Sequence, residues 1–255
     1  MKINVLYLGK ISCKRDNLVQ CSEESQMIQS PINAILIRHP KIGNILYDTG
    51  NSADYEQKYP VSVLDTYPVT EFISVEDALH QYGLTVNDID TIVLSHLHFD
   101  HAGGLGCFAG TKAFQNIIVS EEELKDAFFR VMTGNGGAYV RELFDIDGIR
   151  YVPYQKELRL ADDILLFSQQ SHTAGCTGMV LDTEQEGTII VTSDTIYTED
   201  SYNSELPPGG SINSTTDEFY TNLARIKKMQ SEKNAKLIYG HDFEQIQRLS
   251  KCTLS

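Results

Sequence analysis

The stretch SHLHFDHAGG (Ser95–Gly104) sets three imidazoles and a carboxylate, His96, His98, Asp100 and His101, within six residues of a chain that has only seven histidines in all. Imidazoles packed so closely repel one another when protonated and need several partners when buried. A bound metal answers both problems, and neutral imidazole and carboxylate are ligands that zinc accepts readily. The cluster follows DTIVLS, a β-branched apolar run that reads as a buried strand. His96, His98 and Asp100 stand at i, i+2 and i+4, which an extended segment places on one side.

The same arrangement recurs along the chain. Three residues separate His172 from the end of DILLFS, Asp194 directly follows TIIVTS, His241 lies two residues past KLIY, and Asp48 ends NILYD. If these strands lie in sheets with aligned ends, the polar residues gather at one rim, where binding sites of strand-and-helix folds commonly form. His96, His98, His101, His172 and His241, with Asp100 and Asp194, are enough donors for two metal ions about 3.5–4 Å apart that share one carboxylate. The site would stay electropositive and attract a carbonyl or phosphoryl oxygen. His39 and His80 belong to no motif and read as ordinary histidines.

Further strand-like runs are INVLYL, NAILIRH and GMVLDT, and helix-like segments lie between some of them. SVEDALHQYG opens on Ser74 with Asp77 three residues on. SEEELKDAFFRVM opens on Ser120 as N-cap, with Glu123 in the capping-box position and Leu124, Ala127, Phe128 and Val131 on one apolar face. TTDEFYTNLARIKKMQSEK spaces Phe219, Leu223 and Ile226 similarly. The chain therefore reads as mixed α and β. With no repeat, low-complexity tract or linker, residues 1–255 read as one domain. The loops Asn51–Ile73 and Tyr197–Ser214 are long, and long loops are often functional.

Composition narrows the function. With 41 % hydrophobic residues the chain is globular, and a net charge of −14 argues against nucleic acid as a partner. No run is long enough for a membrane span, and MKINVLYLGK lacks the h-region and cleavage site of a signal peptide. Five cysteines without CxxC spacing suit reduced thiols, so the expected compartment is the cytoplasm.

The segment His96-Leu97-His98-Phe99-Asp100-His101 resembles the HxHxDH signature of the metallo-β-lactamase superfamily, and Asp48-Thr49-Gly50, His172, Asp194 and His241 follow in that superfamily's order. The resemblance, from about Asn33 to Asp242, implies an αβ/βα four-layer sandwich with two mixed β-sheets. It implies that His96, His98 and His172 hold one zinc, that Asp100, His101 and His241 hold the other, and that Asp194 bridges them. Mn, Fe or Co are alternatives to zinc. Asp48 is implied as the carboxylate behind a ligand histidine. Asp194 stands where the β-lactamases carry cysteine, and His98 replaces the glutamate of the di-iron members, which leaves hydrolases of other esters. Within these, SHLHFDHAGG, SDTIYTEDSY and YGHDFEQ are similar to the N-acyl-homoserine lactonases. QSHTAGCTG departs from that family, with Ser171 before His172 in place of glycine and Ala174-Gly175-Cys176 after it in place of Pro-Gly-His.

The resemblance implies a metal-dependent hydrolase that opens a small lactone or ester, with Tyr197 donating to the substrate carbonyl and Asp100 passing a proton to the leaving oxygen. Thioester or phosphodiester hydrolysis is the alternative, and a metal-binding protein without turnover is a third. Tyr55, Tyr59, Tyr67 and Phe72, with Phe108, Phe114, Phe128 and Phe129, supply candidates for an acyl pocket, most of them expected in the core. Both monomer and homodimer remain open.

Overall fold

Strands that alternate between two apolar faces must be covered on both sides, and the chain does this with four layers. In a computed structural model, residues 1–20, 26–210 and 216–255 are described. The first sheet is built from β1 (Lys2–Lys14), β2 (Met27–His39), β3 (Gly43–Tyr47), β4 (Val69–Phe72), β5 (Thr91–Val93), β6 (Ile117–Ser120) and β7 (Tyr151–Tyr154), in the order β4-β1-β2-β3-β5-β6-β7. The second is built from β8 (Glu157–Ala161), β9 (Ile164–Gln169), β10 (Cys176–Asp182), β11 (Thr188–Ser193) and β12 (Lys236–Tyr239), in the order β12-β11-β10-β9-β8. Both sheets mix parallel and antiparallel pairs.

Neighbouring residues of one strand serve different layers. Val5, Ile35 and Ile45 face the second sheet and pack against Leu166, Met179, Ile189 and Ile238. Leu6, Leu36 and Leu46, one residue on, face outward and are covered by Val75, Leu79, Leu105 and Ala127 from helical segments. On the far side, Phe167, Val180 and Ile190 meet Phe219, Leu223 and Ile226 of the helix Thr216–Lys233. Each such side chain contributes roughly 1.5–3 kcal/mol on burial. Among the described residues no helix is long and apolar enough to cross a membrane.

The expected rim exists because the strands that feed it run the same way. β3 is parallel to β5, β11 is parallel to β12, and β9 runs parallel to β11 because both are antiparallel to β10. The carboxyl ends of five strands therefore meet at one edge of the two sheets.

Two expectations need correction. The stretch Asn51–Ile73 is not an irregular loop: it holds helices Tyr55–Lys58 and Val61–Thr66, and β4, which pairs with β1. The motif is extended only as far as His98, after which Phe99–Ala102 forms a helical turn. The change of conformation aims its two halves in different directions. The stretch Tyr197–Ser214 contains the short helix Glu199–Asn203, and its residues 211–214, like Cys21, lie outside the described residues.

Gly103 and Gly104 are needed for space. Gly103 has φ −59°, a helical value that alanine adopts freely. A Cβ there would collide with the backbone nitrogen of Ser52 and stand 2.7 Å from the carbonyl carbon of Asn51. From backbone entropy alone Gly103→Ala would stabilise by about 0.4–1 kcal/mol. Overpacking against rigid backbone reverses the sign, and a loss of about 1–3 kcal/mol is expected. Denaturant unfolding of the two proteins checks this, and a stabilised variant would contradict it.

Candidate metal centre

Two of the strand exits that feed the rim use left-handed backbone. Asp48, directly after β3, has φ 63°, and Ser193, the last residue of β11, has φ 48°. Such conformations are uncommon outside glycine and cluster at functional sites. The turn at Asp48 sends its carboxylate back towards the motif. Ser95 N donates to Oδ1 at 2.7 Å, and His101 Nδ1 donates to Oδ2 at 2.8 Å. Thr49 N and Thr49 Oγ1 each donate to the carbonyl of His101 at 2.8 Å. Four short bonds thus fix where the His101 ring points.

All seven residues expected to form the site come together and are buried, from 0 % exposed for His96 to 7 % for His98 and Asp100. They fall into overlapping triads: His96, His98 and His172; Asp100, His101 and His241; and His96, His101 and Asp194. In the first, His98 Nδ1 lies 3.1 Å from His96 Nε2 and 2.9 Å from His172 Nε2. Asp194 stands between the first two groups. Its Oδ2 is 3.6 Å from His172 Nε2 and 3.1 Å from His241 Nε2, and its Oδ1 is 3.5 Å from His101 Nε2. Asp100 Oδ2 is 3.7 Å from His101 Nε2 and 3.8 Å from His241 Nε2.

The outward nitrogen of four rings is held from behind. His96 Nδ1 meets Ser95 Oγ at 2.9 Å, His172 Nδ1 meets the Tyr197 hydroxyl at 3.0 Å, and His101 Nδ1 meets Asp48. His241 Nδ1 donates to the Pro31 carbonyl at 2.8 Å and lies 3.0 Å from Ser30 Oγ. A carbonyl or carboxylate partner fixes the tautomer, so the inward Nε2 of a neutral His101 or His241 presents a lone pair. Those lone pairs face carboxylate oxygens, and His101 Nε2 and Asp194 Oδ1 are buried without a hydrogen-bond partner. Lone pair against anion is repulsive, and an unpaired buried polar atom is costly. A divalent cation among Asp100, His101 and His241 relieves both, and the converging ring nitrogens of His96, His98 and His172 offer a second ligand set, so the donors present fit a pair of metal ions.

The protonation tendencies agree with this division. Burial and neighbouring imidazoles hold His96 and His98 well below the usual histidine range, and burial pushes His172 down to about 4. These rings are neutral at pH 7, as metal ligation requires. In the second triad burial also disfavours the charged rings, but Asp194 and Asp100 outweigh it, so His101 is raised well above the ordinary value and His241 is raised. Burial would raise Asp194, yet His241 and His101 hold it well below the usual range. The second group thus demands positive charge, and the first does not.

A cavity opens over the cluster. His98, Asp100, His172, Asp194, Tyr197 and His241 form its polar base, and Ile11, Leu18, Tyr67, Phe99 and Ala138 give it an apolar wall. Of the aromatic candidates in the first long stretch, Tyr67 reaches this wall. Tyr59 instead donates from its hydroxyl to Asn51 Oδ1 and the Phe99 carbonyl, at 3.0 Å each. Phe108 and Phe114 are core, and Phe129 is 67 % exposed. His39 is an ordinary histidine: Nδ1 caps the turn at Lys41 and Ile42, and Nε2 donates to Asp163.

Sequence reasoning missed Phe99, Ile11 and Leu18 as wall residues, Ser95 behind His96, and Glu123 behind Leu97. Phe99 lies inside the motif and was legible in principle. So was Ser95, which directly precedes His96, whereas Ile11, Leu18 and Glu123 carry no local signal, because their partners are distant in sequence.

The metallo-β-lactamase superfamily family model matches residues 27–241. An N-acyl homoserine lactonase of Bacillus thuringiensis is 28 % identical over 254 residues, spanning 96 % of each chain. The N-acyl homoserine lactonase AiiB of Agrobacterium fabrum is 28 % identical over 276 residues, spanning 99 % of this chain and 97 % of its own. Among solved structures, an N-acyl homoserine lactone hydrolase with N-hexanoyl-L-homoserine at its metal center superimposes with a TM-score of 0.81 at 23 % identity, over 97 % of this chain and 95 % of that one. The dizinc quorum-quenching lactonase AidC gives 0.67 at 17 % identity, over 94 % and 87 %. Both structural likenesses concern the fold. The rim of histidines, the two packed sheets and the family match lead to one conclusion: the chain belongs to the metallo-β-lactamase superfamily.

Proposed function

We propose that this chain is a dinuclear zinc hydrolase that opens the ring of N-acyl-homoserine lactones, with residues 1–255 acting as one domain in the cytoplasm. The observation that carries the reading is the pair of triads, His96-His98-His172 and Asp100-His101-His241, with Asp194 Oδ2 3.6 Å from His172 of one and 3.1 Å from His241 of the other, at the base of an apolar-walled cavity. The relatives named above, lactonases over nearly their whole length, support the substrate class. In this reading His96, His98 and His172 would hold one ion and Asp100, His101 and His241 the other, with Asp194 within reach of both sets. Bound there, the ions would supply a strong nucleophile from water at neutral pH and polarise the lactone carbonyl.

The chain's own groups do the rest. Ile11, Leu18, Tyr67, Phe99 and Ala138 receive the acyl chain and exclude water from the polar base. The Tyr197 hydroxyl accepts from His172 Nδ1, which leaves its own proton free to donate to the carbonyl oxygen as charge develops there. Burial and Asp194 hold that phenol well above its usual value, so it remains a donor at any working pH. Asp100, at the same cavity base, would take the proton that the attacking water gives up and pass it to the leaving oxygen of the opened ring. Asp48 keeps His101 in register throughout.

Zinc-loaded protein is expected to open N-acyl-homoserine lactones with kcat/KM of about 10⁴ M⁻¹s⁻¹ or more, read from proton release. A chelator should abolish turnover and added Zn²⁺ should restore it. No turnover by protein that holds both ions would overturn the lactonase reading. Tyr197→Phe should lower kcat by roughly 10–1,000-fold with both ions retained in excess zinc. An unchanged kcat would remove Tyr197 from the mechanism.

A further inference from the structure

Glu123 sits in the third position of the helix Glu121–Met132, where a capping box would turn its side chain back to Ser120. Ser120 makes no side-chain cap bond, and Glu123 turns inward and is 0 % exposed. Its carboxylate gathers four donors from three separate segments. Oε1 accepts from Leu97 N at 2.9 Å and from the Tyr139 hydroxyl at 3.0 Å. Oε2 accepts from the Thr173 hydroxyl and from Gly175 N at 3.3 Å. A side chain at Gly175 would run into this group, since its Cβ would lie 2.9 Å from Glu123 Cβ.

Every one of these donors adjoins the three-histidine triad. Leu97 lies between His96 and His98, and Thr173 follows His172. Tyr139 forms a backbone bridge to His98 and packs edge-on against its ring, with centroids 4.6 Å apart. The other triad is held by different groups: His101 by Asp48, and His241 by Pro31 and Ser30. The geometry points to Glu123 as the positioning residue that sets the spacing of His96, His98 and His172, and so the metal affinity of that triad independently of its neighbour. This inference rests on the two-metal reading above.

Glutamine cannot replace this carboxylate. One oxygen takes the backbone N–H of Leu97 and the other that of Gly175, and neither donor can become an acceptor. Whichever way the amide turns, its NH₂ faces an N–H, and one loop is released. Displacing groups that orient metal ligands typically weakens metal binding by about 10–100-fold.

The test is a Zn²⁺ titration of metal-free protein against a competing chelator, for wild type, Glu123→Gln, Tyr139→Phe and Thr173→Val. Co²⁺ is titrated in parallel, because its visible absorption reports which donor set is filled. Wild type should take up two ions. Glu123→Gln should lose about 10–100-fold in the three-histidine step alone, with unchanged circular dichroism. The two milder variants each remove one donor and should show a smaller loss in the same step, which carries the test if Glu123→Gln does not fold. Equal weakening of both steps, or no change in either among the variants that fold, would overturn the role of Glu123. Because no lactone enters the titration, that result leaves the proposed activity standing. Wild-type protein that binds no metal would instead sink the two-metal reading and this inference with it.

Discussion

The structure depends on keeping a carboxylate, Asp194, against four imidazole nitrogens inside the protein. Withdrawing one such ion from water costs several kcal/mol even after relaxation, so the cluster survives only if its charges and lone pairs are satisfied. The chain satisfies the outward faces itself, through Ser95, Asp48, Pro31 and the Tyr197 hydroxyl. The inward faces are left to a ligand that brings positive charge. The architecture can be understood from that requirement: two sheets whose feeding strands end at one edge, and strand exits bent through left-handed backbone at Asp48 and Ser193.

The seven-residue cluster was legible in the sequence because its members share a local mark. Each polar residue stands within a few positions of the end of an apolar strand, and the rim follows once β9, β11 and β12 run parallel. The outer layer was legible too, from the spacing of Phe219, Leu223 and Ile226. Less visible were β4, β6, β7 and β8, runs of four or five residues that exist as strands because a neighbour pairs with them. β7 contains Pro153, which fits an edge position and weakens the strand signal. The backbone switch at Phe99 was hidden for a related reason. Spacing at i, i+2 and i+4 suggests one extended face, whereas the chain places His96 and His98 in one triad from an extended half and Asp100 and His101 in another from a helical half.

Glu123 shows where local reading misleads. Ser120 followed by Glu123 satisfies the pattern of a helix cap, yet four donors from distant segments outweigh a single exposed cap bond. Only the tertiary structure brings Leu97, Tyr139, Thr173 and Gly175 to one point. The apolar wall is hidden in the same way: Ile11, Leu18 and Ala138 look like any core residues until the cavity places them above the histidines.

The most direct test of the account is anomalous diffraction at the zinc edge from crystals of the zinc-loaded protein. The account predicts two peaks per chain, one among His96, His98 and His172 and one among Asp100, His101 and His241, with Asp194 in contact with both. A single peak, or none among these residues, would contradict it.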